Sequence, residues 1–175
     1  MVLGEGTFMR KQKGFSLIEL LLVVAIILII AAIAIPNLLR SRIAANEASA
    51  VGSIRTINTA EIIYASAYPN VGFASSLTKL GPDSAGAGGT SASSGLIDSV
   101  LGCAAQPCTK SGYSFKVTAP AGTMVTTYTT NGDPQNSQTG QRHFCSDQSG
   151  VIRYDASAIG TNSGANCVTT ASPLQ

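Results

Sequence analysis

The sequence predicts an α+β chain: a long N-terminal α-helix, apolar in its first half and amphipathic in its second, packed against a four-stranded antiparallel β-sheet head. Three observations carry this. Phe15 to Ile35 is an apolar run of 21 residues in which only Ser16 and Glu19 are polar. Helix-favouring residues, alanine foremost, continue from Leu38 to Ala67 with no proline and a single glycine, Gly52. After Cys108 the pattern changes to short alternating runs of the kind that form strands.

The polar residues 1–14 can build no core. They include Arg10, Lys11 and Lys13 and end at Gly14. The chain has 11 Lys and Arg against 9 Asp and Glu, a net charge of +2, and this leader carries all of it. The neutral remainder argues against nucleic acid as a specific partner, because such binding rests on neutralising phosphates. Basic residues beside an apolar span mark its cytoplasmic side. The N-terminus is therefore expected inside, although Arg40 and Arg42 on the other flank weigh against this.

Residues 15–36 match the ~20 residues that cross a bilayer as a helix. A secretory signal has a shorter apolar core, ~7–15 residues, and then a small-residue cleavage site. Here Pro36-Asn37-Leu38-Leu39-Arg40 follows instead, so no cleavage is expected there. Glu19 is the anomaly. A charge at the centre of a membrane helix costs about 2.5–3.5 kcal/mol on insertion scales. It persists only where something compensates it, and a free amine on a neighbouring chain would do so. The plainer alternative is a side chain that snorkels to the headgroups.

Pro36 removes one N–H and kinks or stops a helix; in lipid or in a bundle a kink is tolerated. Residues 37–68 form the amphipathic half. Ile43, Ala50, Val51, Ile54, Ile57 and Ala65 share one face, which needs a partner. Glu47 and Glu61 fall within or beside it, and the plain reading is a stripe edge whose carboxylates reach water. Tyr68-Pro69-Asn70 ends the helix. Residues 69–110 read as a connecting loop on the surface, low in complexity from Ser84 to Gly95, with a short helical turn at 96–101.

Residues 111–175 hold the sheet and a C-terminal loop. Tyr113–Thr118 alternates apolar with polar, and Thr123–Thr130 is rich in β-branched residues. Asn131-Gly132-Asp133-Pro134 reads as a turn. His143–Cys145 and Val151–Tyr154 flank Asp147-Gln148-Ser149-Gly150 as a hairpin. The cysteines, Cys103, Cys108, Cys145 and Cys167, all follow the apolar span. An even number beyond an exported segment suggests disulfides. Of three pairings, the simplest joins sequence neighbours: Cys103–Cys108 and Cys145–Cys167. Their spacings fit a zinc site poorly.

No cofactor or metal is expected, and no enzyme. There is one histidine and no tryptophan, and neither Gly-x-Ser-x-Gly nor a phosphate loop occurs. Ser146, His143 and Asp147 are too close along one strand to converge as a triad.

Lys13-Gly14-Phe15-Ser16-Leu17-Ile18-Glu19-Leu20-Leu21-Leu22-Val23-Val24-Ala25-Ile26, with Ala34-Ile35-Pro36-Asn37, resembles the N-terminal processing motif of type IV pilins and pseudopilins. The resemblance implies that a prepilin peptidase cuts between Gly14 and Phe15 and methylates the new amine of Phe15. It implies a single-pass precursor in the bacterial inner membrane, held by lipid before assembly. Pilus or type II secretion machinery then assembles it into a helical filament of identical copies, a surface pilus. Glu19 would pair with the Phe15 amine of the adjacent copy and set its register, Pro36 would let the helix bend, and Cys145–Cys167 would staple the last loop. The function implied is a major pilin; the alternative is a pseudopilin of a type II secretion system, or a minor pilin. Type II pseudopilins tend to carry a calcium loop near the C-terminus. Asp147, Ser149, Gly150 and Asp155 are too sparse in acids for one, since calcium takes 6–8 oxygens, and read as a turn.

Overall fold

A computed structural model describes residues 14–82, 89–156, 167 and 172–174. The first element, α1, runs without a break from Leu17 to Ala67 and passes through Pro36. Two compact units divide the chain at Leu38 and Leu39. In the first, the large apolar side chains of α1 are exposed, from Leu17 at 80% to Ile35 at 64%. The rest of α1, a short helix α2 (Leu77–Leu80) and the sheet form the second.

Six strands form a continuous antiparallel meander in chain order: β1 (Cys108–Lys110), β2 (Tyr113–Thr118), β3 (Thr129–Pro134), β4 (His143–Asp147), β5 (Arg153–Asp155) and β6 (Ser172–Pro173). The expectation of four strands missed the two edges. With three and two residues, β1 and β6 are too short for alternation to register, and β6 contains a proline that ladder strands avoid.

One face of the sheet lies on one face of α1. Tyr113, Phe115 and Val117 of β2 are fully buried, while the residues between them are half-buried. On the helix Ala50, Val51, Ile54, Ile57, Ala60 and Tyr64 are buried. Ile43 and Ala65, assigned to the same stripe, are only half-buried. Hydrophobic burial of this kind is the main driving force for the pairing of layers.

The Asn131–Pro134 segment corrects a reading. It is the second half of β3 rather than a turn, and Thr123–Tyr128 is not a ladder strand. Of that stretch, Val125 instead exchanges backbone bonds with Val71 and Phe73. Gly132 pairs with Phe115 on one side and Phe144 on the other. A Cβ there would lie 3.0 Å from the Phe115 ring and 3.3 Å from the end of Ile54. The glycine thus marks a place where a side chain from the helix and one from the neighbouring strand both come close to the backbone. Pro134 ends β3 beyond the reach of β4, where a missing N–H breaks no ladder.

The connecting segment is also more buried than a surface loop. Leu77, Leu80, Ile97 and Leu101 are at most 5% exposed and belong to the core. Cys103–Cys108 and Cys145–Cys167 are both bonded. Inside the first bridge, Gln106 imitates a strand. Its Oε1 accepts from the Val117 N–H at 3.1 Å and its Nε2 donates to the Val117 carbonyl at 2.8 Å.

Glu47 and Glu61 do not reach water, contrary to the stripe-edge reading. Glu47, 6% exposed, pairs through Oε2 with Arg142 at 2.6 Å, and its Oε1 accepts the Gln141 and Arg142 N–H groups at 3.1 and 3.2 Å. Glu61 is fully buried and accepts the Ala74 N–H at 2.7 Å. Its other oxygen, Oε1, has no partner. Burial pushes its carboxyl up to about 8, against the single lowering contact from Ala74. It is therefore a neutral acid at pH 7.

Two predictions test this packing. From about pH 4.5 to 8, folded Glu61 holds a proton that the unfolded chain releases, so stability falls as pH rises through that window and levels off above it. Glu61→Gln removes this slope, worth up to about 1.4 kcal/mol per pH unit. Melting temperatures of both proteins at pH 5 and pH 8 should diverge in the variant's favour at the higher pH; parallel curves would refute the assignment. Gly132→Ala should destabilise the head by about 1–3 kcal/mol through overpacking, measured by urea unfolding.

Candidate functional site

Glu19 stands in the first turn of α1, three residues after Ser16. The Ser16 carbonyl accepts the Leu20 N–H at 3.2 Å, which begins the helical ladder. The Ser16 N–H in turn donates to Oε2 of Glu19 at 3.3 Å. This is the acidic half of a capping box, in which the N3 carboxylate satisfies the N-cap N–H. Negative charge there also complements the helix dipole. Glu19 therefore has an intramolecular hydrogen-bond partner in the single chain.

Phe15, 84% exposed, immediately precedes the cap. Only Oε2 of Glu19 is engaged, so the carboxylate can keep its cap and still accept a cation through Oε1. Behind it, α1 is the one described helix long and apolar enough to cross a membrane, and none of its most apolar stretch is buried. The site is thus a carboxylate at the mouth of an uncovered apolar rod, five residues past Gly14. Sequence reasoning missed Ser16 as a participant, although Ser-x-x-Glu ahead of an apolar run was a readable signal.

The other residues weighed as functional do not converge. Ser146 Oγ turns inward, accepting from Asn58 Nδ2 at 2.7 Å and donating to the Val151 carbonyl at 3.1 Å. His143 Nδ1 faces Asp133 at 2.7 Å, where burial raises the Asp133 carboxyl against the lowering effect of the histidine. Asp147 Oδ1 accepts from the backbone and hydroxyl of Ser149, closing the turn before Gly150. Among the described residues no group of three or more His, Cys, Asp or Glu is placed to hold a metal.

Comparison with known proteins agrees with the N-terminal geometry. A family profile described as the prokaryotic N-terminal methylation motif matches residues 9–35. The chain is 64% identical over 39 residues to the type IV wide pilus major component PilA4 of Thermus thermophilus, covering 22% of this chain and 30% of that protein. It is 43% identical over 54 residues to the type IV major pilin protein PilA of Myxococcus xanthus, covering 31% and 24%. The matched stretch spans less than a third of either relative. No solved structure matches. The N-terminal segment of this chain thus carries a prokaryotic N-terminal methylation motif and is similar to the corresponding segments of type IV pilins.

Proposed function

We propose that this chain is a major pilin, the repeating structural subunit of a type IV pilus. The family is structural rather than enzymatic. The observation that carries the proposal is the exposed apolar half of α1 with one carboxylate in its first turn, directly after the Gly14–Phe15 junction. Both relatives bear the names of major pilus components, which supports the major role.

In this reading the precursor sits in the bacterial inner membrane, with residues 1–14 on the cytoplasmic side. A prepilin peptidase removes them and methylates Phe15. Assembly machinery then moves the apolar helix from lipid into a bundle of like helices, an exchange nearly neutral in apolar burial. Hydrophobic contact alone leaves many staggers of similar energy. A Glu19 carboxylate that pairs with the Phe15 amine of the adjacent copy selects one of them, and fixing register is the best-attested use of such a pair. Pro36 gives the packed helix a place to bend.

Electron microscopy of sheared surface material, with mass spectrometry of its subunit, tests the role. Long fibres whose subunit starts at N-methylated Phe15 are expected. The same species confined to the envelope, with a secretion defect on deletion, would instead mark a pseudopilin. Two variants separate the cap from the inter-subunit pair. Glu19→Ala and Glu19→Gln should both insert in the membrane, and both should assemble few or no filaments. Because glutamine can still accept the Ser16 N–H, normal fibres from Glu19→Gln would reduce the residue's role to capping and sink the pairing.

A further inference from the structure

Glu47 holds Arg142 in one geometry. Its Oε2 lies 2.7 Å from Nε and 2.6 Å from Nη2. The guanidinium carbon is 5.7 Å from the centre of the Phe144 ring and 5.5 Å from that of Tyr154. A guanidinium carries five N–H donors in a rigid fork, and these contacts engage only part of it. The Arg142 side chain remains 44% exposed.

Beside it lies a pocket of about 340 Å³ lined by Arg40, Ile43, Ala44, Glu47, Gln141 and Arg142. Glu47 is the one acid in the lining, and both of its oxygens are already used. Arg40 is exposed and makes no ion pair among the described residues. The lining therefore has an excess positive charge, with one arginine pre-oriented and a second free to close, over the short apolar patch of Ile43 and Ala44. Pre-organised guanidinium groups favour anions that offer several oxygens, phosphate above all.

The position of Arg40 identifies the source of that phosphate. It follows Ile35, the last residue of the apolar run, by five residues. However the chain runs, five residues cover no more than about 17 Å. In a membrane-anchored chain Arg40 is therefore within reach of the phospholipid headgroups. We propose that the Arg40–Arg142 pocket binds the phosphate of an anionic phospholipid while the chain is still anchored. The proposal rests on the membrane-anchored precursor of the preceding reading and gives that stage a specific lipid contact.

The test uses the full chain, nitrogen-labelled, in dodecyl maltoside micelles, which contain no phosphate. It is titrated with dihexanoyl-phosphatidylglycerol and, separately, with inorganic phosphate. Saturable shifts are expected at the Arg142 Nε–H and the Gln141 backbone N–H with the lipid. Arg40→Gln removes an exposed side chain and should raise the half-saturation concentration about tenfold, as loss of one charge-assisted contact does. Arg42→Gln, on another face of α1, should leave it unchanged. An equal response to inorganic phosphate would make this a free-anion site and overturn the lipid assignment. Shifts that follow protein concentration without lipid would mark an interface between copies and overturn it too. No saturable shift, or an unchanged midpoint in Arg40→Gln, would dismiss the pocket altogether. None of these readouts depends on filaments, so failure of the pilus reading would be a separate result.

Discussion

Between Glu47 and Tyr64, one face of α1 is the floor on which the strands of the sheet rest. Ala50 and Ala60 are small enough to let the sheet approach, Ile54, Ile57 and Tyr64 fill the space, and Gly132 presents no Cβ to the Ile54 side chain. Apolar contact of this kind has no direction and would tolerate sliding. The two glutamates supply what it lacks. Glu47 grips the backbone and guanidinium of the connection from β3 to β4, and Glu61 grips Ala74 in the segment that leaves the helix. The sheet is thus located along the helix by polar contacts at both ends of an apolar interface.

The helix carries three glutamates, and the same side chain has three fates. Glu19 is exposed and closes its own helix N-terminus. Glu47 is buried and answered by a charge. Glu61 is buried with only one N–H to answer it, and desolvation keeps it protonated. Environment, rather than residue type, decides which of these is available for chemistry between chains. Of the three, Glu19 alone keeps a carboxylate in an exposed setting next to an uncovered apolar surface, which suits it to a partner from outside the chain.

That uncovered surface is the other constraint. A soluble domain does not leave a row of leucine and isoleucine side chains more than half exposed along several helical turns. Such a rod needs lipid, like helices, or each in turn. The N-terminal segment that resembles pilins is this same rod, and the strands are built on the second half of the helix, in a separate compact unit.

The long helix, its apolar and amphipathic halves and the N-terminal motif were legible from residue order, because each is a local pattern: length, period and spacing along one element. The strand at Tyr113–Thr118 was legible for the same reason. The second half of β3 was not. Asn131, Gly132 and Pro134 are turn formers by local preference, and only the approach of Ile54 and Phe115 from distant parts of the chain makes a glycine necessary inside that strand. Glu47 and Glu61 were equally opaque, since their partners lie far away along the chain, at Arg142 and at Ala74. Ser16 was an overlooked local signal. Helices and motifs are thus set by neighbours in sequence, whereas buried charge and the glycine in a strand are set by neighbours in space, which residue order alone does not reveal.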